Sequence, residues 1–148
     1  MADIDVIVAC KNALGEGPIW DVDEQRLYWV DGLEKEIWRC APDGSDVRKW
    51  QAPSTIGSMA LRSGGGAVLA LESGFHLFDF ATGETTPSRD PEPDTPRTRL
   101  NDGKVDRRGR FVAGSLDMAV FSRKPAPSIP AGALYRLDTD LTLTNLEN

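Results

Sequence analysis

The chain predicts an all-β fold, a β-propeller built from four-stranded blades. Three observations carry that reading. Short apolar runs bounded by turn residues recur throughout, with 14 Gly and 10 Pro in 148 residues, and no long segment keeps a helical period. The runs fall into repeating groups of three or four. The groups begin roughly 40 to 45 residues apart, the period of a propeller blade.

The elements follow in order. Residues 4–8, Ile-Asp-Val-Ile-Val, read as a first strand. Gly17-Pro-Ile-Trp20 leads into the turn Asp21–Gln25 and then the strand Arg26–Val30. An Asp31-Gly32 turn, the strand Glu36–Cys40, the turn Ala41-Pro-Asp-Gly44 and the strand Val47–Trp50 complete one blade. The pattern is then repeated. Gly57–Leu61, the hairpin Arg62–Gly66, Ala67–Leu71 and Phe75–Phe80 form the second blade, with a turn at Ala81–Glu84. A third begins at Asp102–Val105, turns at Asp106–Gly109 and continues as Arg110–Gly114, Ala133–Leu137 and Thr142–Thr144. The insertion Ser122–Pro130 is too rich in proline for a strand and reads as a loop on the ligand-binding face, with a plain surface excursion as the equal alternative. Trp20, Trp29, Trp38 and Trp50 recur at strand spacing and read as blade packing. Asp21, Asp23, Asp43 and Asp46 read as turn caps.

Three blades do not close a ring, because propellers use about four to eight. The expectation is a partial propeller over 1–148, the N-terminal half of a longer domain, with assembly from a second copy as the other solution.

Composition narrows the partners. A net charge of -6 argues against nucleic acid and against an anionic membrane surface. No apolar run approaches the roughly 20 residues of a membrane span. The N-terminus lacks the basic region of a signal peptide, so Cys10 and Cys40 are expected as reduced thiols in a cytoplasmic protein. His76 alternates with apolar residues and reads as the exposed face of a strand, without a catalytic role. There is no Gly-x-Ser-x-Gly elbow, no phosphate-binding loop and no Cys/His metal pattern.

Two constellations remain. In Leu14-Gly-Glu-Gly-Pro-Ile-Trp20, glycines flank Glu16 and let the backbone turn tightly, so the carboxylate can point into a central channel. A carboxylate there suits a hard divalent cation, and a solvated turn glutamate is the alternative. In Arg99-Leu-Asn-Asp-Gly-Lys-Val-Asp106, four side chains able to bind a small polar ligand fall together: Arg99, Asn101, Asp102 and Lys104. Arg99 and Asn101 are two apart, which puts them on one face of an extended segment. By itself the stretch reads as a polar loop entering a strand. The blade register places it at the same channel mouth as Glu16.

Gly15-Glu-Gly-Pro-Ile-Trp20 with Leu27-Tyr-Trp-Val-Asp31, Arg99-x-Asn-Asp-Gly-Lys-Val-Asp106 with Gly109-Arg-Phe-x-Ala-Gly114, and Gly132-Ala-Leu-Tyr135 resemble the senescence-marker-protein/gluconolactonase/luciferin-regenerating family, also called regucalcin-like. The resemblance implies a six-bladed propeller of which about three blades are present. It implies a sugar lactonase, acting on a gluconolactone- or arabinolactone-like substrate with one divalent metal: calcium, zinc, manganese or magnesium. Glu16 matches the metal-binding glutamate, and Arg99 and Asn101 match residues that hold the substrate's hydroxyls. The other two metal ligands, an asparagine in Asn-Gly-x-x-Trp and an aspartate that serves as catalytic base, would lie beyond residue 148. Asn145 and Asn148 lack the following Gly and Trp. A further substrate-contacting glutamate of some members has no counterpart in Gly114–Val120, where Asp117 is the nearest substitute. The fragment alone is therefore expected to be inactive. A calcium-binding or regulatory propeller and a purely structural segment are the alternatives.

Overall fold

The computed structural model describes residues 4–121 and 131–146, and they form three four-stranded antiparallel sheets. Blade one is β1 (Gly15–Asp21), β2 (Arg26–Asp31), β3 (Glu36–Cys40) and β4 (Arg48–Gln51). Blade two is β5 (Ile56–Leu61), β6 (Ala67–Leu71), β7 (Gly74–Phe78) and β8 (Thr85–Arg89). Blade three is β9 (Thr98–Val105), β10 (Phe111–Asp117), β11 (Leu134–Leu137) and β12 (Leu143–Asn145). Each sheet is a simple meander, with neighbours in sequence paired in space. The three meanders are successive blades of a propeller.

Blade stacking explains the sequence of β6. Ala67, Leu69 and Leu71 pack toward blade one, in a cluster with Tyr28, Val30, Ile37, Met59 and Phe78. Val68 and Ala70 pack toward blade three, with Phe75, Leu100, Phe111, Ala113, Tyr135 and Leu137. Alternate residues of one strand thus enter two different cores, so the run is continuously apolar and every residue in it is buried. The outer strands β4, β8 and β12 are polar and half-exposed. Pro87 is tolerated in β8 because that strand lies at the sheet edge, where a missing N–H costs no ladder bond. Trp50 donates its indole N–H to the Phe80 carbonyl at 3.0 Å and so joins blades one and two.

Aspartates close several turns. Asp21 accepts from the Asp23 and Glu24 amides, Asp43 from Ser45, and Asp106 from Arg108 and Arg110. Asp46 departs from the expectation: its carboxylate pairs with Arg26, Arg39 and Arg48.

Four further expectations are corrected. Residues 4–8 are not a strand, and Ile4 and Val6 are 91% and 79% exposed. A strand needs a partner's free ladder groups. This segment instead runs past the β3–β4 turn, with the Ile7 carbonyl close against Gly44. His76 is buried, not exposed; Nδ1 lies 3.2 Å from the Gly74 carbonyl and Nε2 3.4 Å from Ser73 Oγ. Its alternation is real, but both faces of β7 are covered. Arg99 and Asn101 do not precede the first strand of blade three, since β9 already begins at Thr98. Trp20 is 42% exposed and lines a groove of about 520 Å³ with Met59, Leu61 and Lys104 instead of packing between blades. Cys10 and Cys40 are unbridged. The insertion Ser122–Pro130 lies outside the described residues.

Candidate functional site

The innermost strand of every blade carries an irregularity at the same level. In β1, Gly17 and Pro18 oppose a single residue between the pairs Glu16↔Val30 and Ile19↔Tyr28. In β5, Gly57 is the extra residue between Ile56↔Leu71 and Ser58↔Ala70. In β9, Asn101 and Asp102 oppose Gly114 alone, between Leu100↔Ser115 and Gly103↔Ala113. A bulge bends the strand and re-aims the neighbouring side chains. At Gly17 the backbone reaches φ 61, a conformation that glycine adopts without the steric cost borne by other residues.

The strand carrying Glu16 is pinned from below. Buried Asp31 accepts the Ala13 amide at 2.7 Å and the Leu14 and Glu34 amides at 3.1 Å each. Burial pushes the Asp31 carboxyl upward, but the three amides and Asn12 together outweigh it, and the group lies below its ordinary value. Gly32 then links two blades: its amide donates to Leu14 O at 2.9 Å and its carbonyl accepts from Ile56 N at 3.1 Å. Glu16 Oε1 sits over this link, 3.1 Å from where a Gly32 Cβ would be, so any larger residue at 32 would press on the carboxylate.

On the blade-three side, Arg99 is 9% exposed. Its Nη1 donates to Leu100 O at 3.0 Å and to Asn101 Oδ1 at 3.3 Å. The two residues that the spacing places on one face are thus directly joined. Asn101 O accepts the Ser58 hydroxyl at 2.7 Å, which ties β9 to β5.

Glu16 is half-buried, and its carboxyl is raised above the ordinary carboxylate value. Burial is the main cause and the charge of Asp102 the second; Arg99 and Lys104 oppose the shift. Charges from blade one and blade three therefore share one field. Such an arrangement can hold a cation at the carboxylates and a polyol at the guanidinium and amide. Glu16 fits a hard cation as one oxygen donor, because a cation would relieve both causes of its shift. Among the described residues no three His, Cys, Asp or Glu side chains converge, so further donors would come from elsewhere. Asp117 is already engaged: it pairs with Arg97 at 3.1 Å and accepts the Ala119 amide at 2.9 Å.

Residues 14–148 match the family model described as the SMP-30/gluconolactonase/LRE-like region. The chain belongs to this family. It is 39% identical over 137 residues to the L-arabinolactonase of Azospirillum brasilense, covering 92% of this chain and 44% of the relative. It is 33% identical to regucalcin of Xenopus laevis, with 93% and 45% covered. Among solved structures, a regucalcin of Agrobacterium tumefaciens described as a calcium-binding protein superposes with a TM-score of 0.76, at 26% identity, over 90% of this chain and 42% of that one. The gluconolactonase-like chain thus spans about half the length of the curated relatives it matches.

Sequence reasoning missed Asp31, which it read as a turn residue, and Ser58, whose hydroxyl gave no motif. It also missed Glu92, which lies in the proline run between β8 and β9. The Val-Asp-Gly frame before a hairpin is the one signal that could have flagged Asp31.

Proposed function

We propose that the complete protein hydrolyses a sugar lactone, with this chain supplying one ligand to a divalent metal and two residues that hold the substrate. The observation that carries the reading is the joined Arg99–Asn101 pair in the same electrostatic field as Glu16. Lactonases among the relatives support it. Blade packing alone does not require a nearly buried arginine turned onto its own strand and bonded to Asn101.

Glu16 would contribute one oxygen donor to the metal, whose role when bound is to polarise the lactone carbonyl and acidify water. Arg99 offers N–H donors in a fixed plane, and Asn101 offers both a donor and an acceptor. That set suits adjacent hydroxyls of a polyol, which must be turned so that the ester carbonyl meets the reacting centre. The contact of Arg99 with Leu100 O and Asn101 Oδ1 fixes its plane before substrate arrives. The general base that takes the proton from the attacking water lies outside this chain in our reading.

A calcium-binding propeller without turnover is the second reading, favoured by the calcium-binding regucalcin among the solved structures. Lactone hydrolysis by the complete protein, with manganese, zinc or calcium added, separates the two. Arg99→Ala and Asn101→Ala should each raise KM by about ten- to a hundredfold, the worth of a hydrogen bond involving a charged or directional group in a dry site. Metal affinity by calorimetry should stay within about twofold. An unchanged KM in both variants, or metal affinity lost together with substrate binding, would refute the assignment. Residues 1–148 alone should show little or no turnover, and activity equal to that of the complete protein would refute the divided site.

A further inference from the structure

The segment between β8 and β9, Asp90-Pro-Glu-Pro-Asp-Thr-Pro-Arg97, is stiffened by three prolines. It forms one wall of a cleft of about 190 Å³ that Arg99 also lines. Stiffness alone does not locate such a segment; something must anchor it. Glu92 does so across long sequence distances. Its Oε1 accepts the Ser115 hydroxyl at 2.6 Å and the Tyr135 hydroxyl at 2.8 Å. Ser115 in turn exchanges two bonds with Ala133: its Oγ accepts the Ala133 amide at 2.9 Å, and its own amide donates to Ala133 O at 2.8 Å. At the far end the segment is held by Arg97, which pairs with Asp117 and accepts the Met118 amide at 2.8 Å.

The position of Ser115 matters. Ser115 pairs with Leu100 across the ladder, at the edge of the bulge that contains Asn101. Glu92 therefore reaches the residue opposite the middle of Arg99-Leu-Asn101, while its backbone shapes the cleft beside the guanidinium. Burial first, and then the Glu92 carboxylate, push the Tyr135 hydroxyl well above its ordinary value, so it remains a donor at any working pH.

We propose that Glu92 is a positioning residue for the Arg99–Asn101 pair, locking the proline segment onto β10 and β11 so that the pair meets its ligand in one orientation. The proposal rests on the lactonase reading. Its loss should appear in substrate binding and leave the chemical step alone.

The test uses the complete protein with a sugar lactone substrate. Glu92→Ala should raise KM about tenfold with kcat within twofold, since two hydrogen bonds to a carboxylate are removed. Glu92→Gln should recover most of that loss, because the two hydroxyl donors need only an acceptor oxygen. Tyr135→Phe deletes a single oxygen and should give a smaller rise; it carries the test by itself if Glu92→Ala does not fold. Arg99→Ala is the control on the reading beneath. If Arg99→Ala raises KM while Tyr135→Phe and any folded Glu92 variant keep the parent value, the positioning role is overturned and the lactonase reading stands. A fall in kcat at constant KM in the Glu92 variants also overturns it. If Arg99→Ala leaves KM unchanged, the lactonase reading fails first.

Discussion

Blades two and three approach closely at Gly57, and adding one methyl group there tests the whole arrangement. A Cβ at this position would stand 2.5 Å from Asn101 Cα and 2.6 Å from both the Asn101 and Leu100 carbonyl oxygens. Ordinary contact is about 3.5 Å, so the strands would have to part by roughly 1 Å. All three neighbours are backbone atoms, so no side-chain rotation can absorb the clash. Overpacking costs about 1–3 kcal/mol in well-packed cores, and with no flexible neighbour Gly57→Ala should reach about 3 kcal/mol. For a domain of this size that is a fall in Tm of roughly 6–12 °C. Urea unfolding at constant m value measures it. Gly64→Ala is the matched control, because a Cβ at Gly64 meets nothing within 4 Å; it should be neutral or slightly stabilising. The parting also moves the Ser58–Asn101 bond and the bulge, so lactone KM in the complete protein should rise together with the loss of stability. A Gly57→Ala midpoint within about 0.5 kcal/mol of the parent would show that the inner strands are not packed at this distance.

The remaining predictions concern acid stability and the tryptophan face of blade one. Asp31 titrates below its ordinary value of 3.8 in the folded chain, and Asp106, held down by Arg110, titrates at about 2. The unfolded chain therefore binds these protons first on acidification. The stabilisation is whole above about pH 4 and is lost as the pH falls toward 2. Asp31→Asn should cost about 2 kcal/mol at neutral pH and flatten the acid limb of the stability curve; parallel acid limbs for parent and variant would contradict the assignment. Trp29 and Trp38 stack with ring centroids 5.8 Å apart, but only Trp29 has an indole partner, Asn12 Oδ1 at 2.9 Å. The Trp38 indole N–H is buried without a partner. Trp38→Phe should therefore cost less than Trp29→Phe, by about 1 kcal/mol in urea unfolding, and equal costs would contradict it.

Much of the blade organisation was legible in the chain itself. Turn chemistry is local: Asp21, Asp43 and Asp106 close their turns through amides two to four residues away, and those are the turns that divide the strands. The spacing of Arg99 and Asn101 is likewise local, and the pair is joined as that spacing requires. Motif resemblance carried the family.

What failed was everything that depends on which surface covers a strand. His76 alternates as an exposed residue would, yet it is buried, because blade stacking covers both faces of its sheet. Residues 4–8 have the apolar pattern of a strand, but a strand exists only where another offers its unpaired ladder groups, and no local signal reports that. Glu92 lies between two prolines with no periodicity around it, and its partners are 23 and 43 residues away.

The sequence by itself determined the repeat, the turns, the family and the residue types at the candidate site, because these rest on short-range chemistry and spacing. The tertiary structure alone decided that Glu16 and Asp102 act on one another, that Arg99 is nearly buried, and that a carboxylate from a connecting segment secures the strand beside it. Those outcomes depend on residues far apart in the chain, and their energies belong to pairs of residues that only folding brings together.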